Sequence, residues 1–122
     1  MSRQEYIAQW NRLLTNYVIT TLGIIAGRLC QPGIEVEWKE RLEYLKLLLE
    51  GKDVSDVKAD LAQGIVTDET LNKTEKIYAE IDSFFIVISV KGDAEKACLK
   101  EIARQYEHYR RDITKMELNA LE

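Results

Sequence analysis

Apolar residues recur every three or four positions along nearly the whole chain. The series Ile7, Trp10, Leu14, Tyr17, Thr21 and Ile24 traces one face of an α-helix. Ser2 and Glu5 precede it as a capping box: the serine hydroxyl accepts from the amide three residues on, and the carboxylate reaches back to the serine amide. Gln31-Pro32-Gly33 stops this first helix near Leu29, because proline disfavours helix in the residue before it and glycine permits a sharp turn. A second helix is predicted over residues 35–50. Glu35 and Glu37 suit the positive end of its dipole, and Trp38, Leu42, Leu45 and Leu49 form its stripe. Leu47 and Leu48 widen that stripe, so the helix should touch more than one neighbour. Gly51-Lys52-Asp53 closes it. A short third helix is predicted over residues 55–63, with Val57 and Leu61 inward and Gly64 as its stop.

Thr67 caps a fourth helix that places Leu71, Thr74, Tyr78, Ile81, Phe85 and Ile88 on one face. Gly92 ends it and Asp93 caps a fifth, in which Leu99, Ile102, Tyr106, Tyr109, Ile113, Met116 and Ala120 repeat over three heptads. Two long helices joined by a short turn predict an antiparallel hairpin. Residues 83–90 are rich in β-branched and aromatic side chains and would suit a strand. Helix is the better reading, because the stripe continues through them without a slip and a lone strand would have no partner. Apolar residues surround that helix end, which predicts burial on nearly all sides, with a second copy of the chain covering it. The expected fold is all-α: a small helical bundle of four main helices plus one short helix, with a long C-terminal antiparallel helical hairpin. The chain reads as a single helical domain over residues 1–122 and as a homodimer, with the hairpin as the dimer element.

Composition supports a packed domain. The chain has 122 residues, of which 46% are hydrophobic and 31% charged, with one proline. The net charge of −4 lacks the basic excess of a dedicated duplex-DNA binder. Charge is uneven along the chain: residues 1–30 carry +2, residues 31–63 carry five bases and eight acids, and residues 94–122 balance. The most apolar stretch, residues 13–26, is interrupted by Thr15, Asn16, Thr20 and Thr21, so a buried helix is expected and no membrane span. The polar opening Met1-Ser2-Arg3-Gln4-Glu5 has no cleavable apolar segment. A soluble, cytoplasmic protein is therefore expected, with Cys30 and Cys98 as buried free thiols in preference to a disulfide.

Few residues offer chemistry. Two cysteines and one histidine, with no close-spaced pair, do not make a zinc site, and no metal or cofactor is expected. Gly51-Lys52 lacks the upstream glycine of a phosphate loop. Cys98 and His108 lie ten residues apart on one predicted helix, about 15 Å along its axis, too far for a nucleophile–base pair. Asp82 is the carboxylate whose surroundings matter most, and it is expected to point outward. The sharpest surface feature is the row Lys100, Arg104, His108, Arg111 and Lys115. At about 100° per residue it occupies an arc of roughly 80°, opposite the apolar stripe of the same helix. It is read first as a solvated face with ion pairs to Glu107 and other acids, and otherwise as a seat for phosphates or an acidic partner. Gly23 and Gly27 share a helical face with Thr20 and Ala26 nearby, a patch read as close helix packing within the chain or, failing that, as a crossing point between copies.

The expected function is therefore that of a non-enzymatic helical protein-binding module: an inhibitor, adaptor, chaperone or small subunit. Gly23, Gly27, Phe84, Phe85 and Ile88 are its candidate interface residues. The alternative is a binder of a small anionic ligand, nucleotide or RNA through the row Lys100–Lys115, at a dimer interface where two such rows converge. An enzyme is disfavoured, since it would need a pocket built from residues with no signature.

Overall fold

The computed structural model describes residues 1–90, 92 and 97–121. Among these the architecture is all-α, and no residue is in a strand. The elements are α1 (Arg3–Leu29), α2 (Val36–Leu49), α3 (Lys52–Ala62), α4 (Asp68–Val90) and α5 (Ala97–Ala120). Residues 83–90 are the last two turns of α4, as their spacing predicts. The predicted Asp93 cap and the side chain of Cys98 lie outside the described residues.

Local chemistry sets the boundaries. The Ser2 hydroxyl accepts from the Glu5 amide at 3.1 Å, completing one half of the capping box. Gly33 and Gly64 follow α1 and α3 at φ 83° and 72°, backbone that residues with a Cβ adopt at a cost. The Thr67 hydroxyl accepts from the Thr70 amide at the head of α4. One boundary differs from the pattern. α3 begins at Lys52 rather than Ser55, because Gly51 itself is the cap and Asp53 occupies the first turn. Val54 then falls inward beside Val57, an anchor that starting at Ser55 left out.

α1 is the centre of the bundle and touches every other helix. The Arg3–Asp68 and Asn11–Thr74 contacts run α1 and α4 parallel, and the Arg28–Glu101 pair runs α1 antiparallel to α5. Lys73–Asp56 and Lys76–Asp53 run α3 antiparallel to α4. The α4–α5 hairpin forms, but through rings: α5 has its closest backbone neighbour in α1. It meets α4 where Tyr106 stacks on Phe85 at 4.4 Å between centroids and Tyr109 meets Tyr78 edge to face at 5.3 Å.

The core follows the stripes closely. Leu99, Ile102, Tyr106, Tyr109, Ile113 and Met116 are all buried, whereas Ala120 is exposed. In α4, Thr70 and Ile77 are buried beside the predicted stripe, because that helix packs against α1 on one side and α3 on the other. Two expectations need correction. Cys30 is an exposed free thiol rather than a buried one, since it follows the last turn of α1. The end of α4 is not enclosed on nearly all sides: Phe85 and Ile88 are buried, Phe84 is partly buried, and Ile86 and Val87 are 54% and 51% exposed. No described helix is long and apolar enough to cross a membrane.

Candidate functional site

An open groove of about 750 Å³ lies between α2 and α4. α2 contributes Glu37, Glu40, Arg41 and Tyr44, spaced as one face of a helix. This face is distinct from the inward stripe Leu42, Leu45 and Leu49, which is wholly buried. α4 contributes Lys76, Ala79, Glu80, Ser83, Phe84, Val87 and Ile88, again one continuous face. The small side chains of Ala79 and Ser83 leave the floor low. Charged residues on both walls resist closing over it, because burying them without partners costs more than the apolar contact returns. The backbones of α2 and α4 accordingly come close at few points.

Aromatic rings span the floor. Tyr44 and Phe84 lie nearly parallel with centroids 6.0 Å apart, and Phe84 meets Phe85 edge to face at 5.1 Å. Tyr44 is 62% exposed and Leu47, one turn on, 72% exposed. Together with Ile86 and Val87 they make apolar surface that this protomer leaves uncovered. A second recess of about 280 Å³, lined by Leu47, Leu48, Asp53, Ile77 and Glu80 among others, continues the groove past Glu80. On the rim, Arg41 pairs with Glu37 at 2.5 Å and Lys76 with Asp53 at 3.6 Å. Glu40 and Glu80 have no ion pair among the described residues.

Of the residues singled out from the sequence, Phe84 and Ile88 line this groove and Phe85 lies beneath it. Phe85 is committed to the protomer's own core, and Ile88, although it borders the groove, is almost wholly buried. Gly23 and Gly27 lie elsewhere, exposed on the outer face of α1. A Cβ added at either meets nothing within 4 Å, so close packing within the chain is not why they are glycine.

Lys100, Arg104, His108, Arg111 and Lys115 are exposed along α5, as the spacing requires. The expected ion pairs to Glu107 and its neighbours do not form: none of the five is paired among the described residues. The row is convex. The adjacent recess, lined by Asn16, Tyr17, Thr20, Gln105, His108, Tyr109 and other residues, holds about 140 Å³. That is small beside the few hundred Å³ of an ordinary ligand pocket.

Asp82 is half-buried rather than outward, because the Tyr106 hydroxyl, 24 residues away in sequence, donates to its carboxylate. Burial pushes the Tyr106 phenol up from its usual value, the bond to Asp82 adds to this, and Arg110 partly offsets it. Tyr78 is raised for the same reasons, burial first and then the Asp82 charge. The pair clasps α4 to α5 and does not line the groove. Among the described residues no group of three His, Cys, Asp or Glu side chains could hold a metal ion.

Sequence reasoning did not single out Tyr44, Glu40 or Glu80, and reached Val87 only as part of the apolar run at the end of α4. The signal for them was present only as Leu47 widening one stripe and Ala79 and Ser83 thinning another face. No protein-family model, curated protein or solved structure matches this chain.

Proposed function

We propose that the chain is a non-enzymatic helical protein-binding module that docks a partner protein in the groove between α2 and α4. One observation carries this reading: an elongated apolar floor, with Tyr44, Leu47 and Val87 uncovered and charged residues along its rim. Apolar surface rimmed by charge is the usual make-up of a partner site. The apolar residues that surround the end of α4 are also the basis for expecting a homodimer. As one wall of a groove they suit a different protein, and self-association becomes an outcome of the test. A photo-crosslinking side chain at position 87 of the full chain, with position 115 as control, tests the reading in cells. Adducts with a defined protein at 87 and not at 115 support it. Adducts of the chain with itself support the homodimer instead, and no adduct at 87 overturns the docking role.

The second reading, an anion binder using α5, is favoured by the unpaired state of the row Lys100–Lys115. Its convex shape suits a polyanion such as RNA better than a nucleotide, which needs a concavity. Its mark is binding to a single-stranded RNA probe that weakens steeply with salt.

A further inference from the structure

We propose that the occupant of the α2–α4 groove is a single amphipathic α-helix of about three to four turns, supplied by another chain and carrying basic residues beside its apolar stripe. This rests on the docking role above and specifies its partner.

Length comes first. The groove and its continuation run from Glu37 to Leu48 on α2 and from Ile88 back to Lys76 on α4. At 1.5 Å per residue each wall is about 16–18 Å long, the length of a helix of roughly 11–12 residues. Secondary structure comes second. Both walls are helices whose backbone groups bond internally, so an extended peptide would find no edge to pair with. A helix satisfies its own backbone and needs only side-chain contacts. Its residues at i, i+3 or i+4, and i+7 would rest on Phe84, Val87, Tyr44 and Leu47.

Charge selects the flanks. Arg41 and Lys76 are engaged with Glu37 and Asp53, and Glu40 and Glu80 lack an ion pair among the described residues. With Lys52 on the lining of the continuation, the rim carries four acids against three bases, and the excess rests on Glu40 and Glu80, which fits lysine and arginine beside those two positions and disfavours an acidic helix there. The same charges argue against a second copy. Groove against groove would bring together two faces with the same acidic excess. The chain's own cationic helix, α5, has already buried its apolar stripe, so a neighbour's α5 has only a polar face to offer.

The test uses the full chain and two stapled helices of about 14 residues with the same leucine stripe, one flanked by lysine and the other by glutamate. Fluorescence anisotropy should give saturable binding of the lysine peptide and at least about tenfold weaker binding of the glutamate peptide. Amide shifts should cluster at Tyr44, Ser83 and Val87. The double variant Glu40→Lys with Glu80→Lys, both at exposed positions, should reverse the preference. Equal binding of the two peptides, or shifts confined to α5, overturns the inference. The crosslinked partner from position 87 separates this claim from the one beneath it. A contact segment with helical apolar spacing and basic flanks supports both. An acidic or non-periodic segment overturns the helix and leaves the docking role standing.

Discussion

Tyr44 of α2 lies over Phe84 of α4 with ring planes 12° apart and centroids 6.0 Å apart, and this stack is the aromatic bridge across the groove. Tyr44 is mostly exposed, so its removal leaves little unburied. The Tyr44→Ala variant should lose no more than about 1 kcal/mol in urea unfolding, yet weaken the lysine-flanked helix severalfold by anisotropy. A large stability loss with unchanged peptide binding would place Tyr44 in the core rather than in the site.

Phe85 and Val87 are two residues apart and should behave oppositely. Phe85 is buried against Tyr106, so Phe85→Ala should cost about 3–5 kcal/mol and Phe85→Asp should unfold the chain. Val87 is half-exposed, and Val87→Asp should stay within about 0.5 kcal/mol of the parent. Circular dichroism during thermal unfolding distinguishes these outcomes. A folded Phe85→Asp protein would contradict the placement of α4.

The Thr74 hydroxyl donates to the side-chain amide oxygen of Asn11 at 2.9 Å, with both residues wholly buried. Thr74→Val removes the donor and strands that oxygen, at a cost of about 1–3 kcal/mol. Adding Asn11→Leu should recover part of this loss, because the stranded group is gone. A double-mutant cycle showing strict additivity would refute the coupling.

Tyr17, Tyr106 and Tyr109 have phenols raised above their usual value, in each case mainly by burial. The neutral form is favoured in the folded chain, so this contribution is intact below the unfolded-state value near 10 and is lost as pH rises past it. The fall is about 1.4 kcal/mol per pH unit for each tyrosine held neutral. Stability against urea should therefore drop steeply above about pH 10. The Tyr109 hydroxyl has no hydrogen-bond partner among the described residues. Tyr109→Phe should accordingly be neutral or stabilising by about 1 kcal/mol at pH 7, and it should flatten the alkaline slope.

Arg104 and Arg111 are exposed and unpaired among the described residues, so reversing both charges should leave stability within about 0.5 kcal/mol. If α5 binds polyanions, Arg104→Glu with Arg111→Glu should abolish RNA binding in low salt. Unchanged RNA affinity, or none in the parent, removes the second reading and leaves the groove untouched.

Periodicity alone placed Leu99 through Met116 inside and Lys100 through Lys115 outside, because a helix ties each side chain's direction to its number. It kept residues 83–90 helical for the same reason, and the capping chemistry of Ser2 and Glu5 located the start of α1. It could not show how far apart two helices stand. The groove lies where the backbones of α2 and α4 come close at few points, over the small side chains of Ala79 and Ser83, a separation that no single stripe encodes. Tyr106 on Asp82, and Gly23 and Gly27 turned to solvent, likewise depended on which helix became whose neighbour. Which way each helix faces was therefore set locally by spacing and caps. Which faces met, and which was left uncovered, was decided only when five helices shared one core.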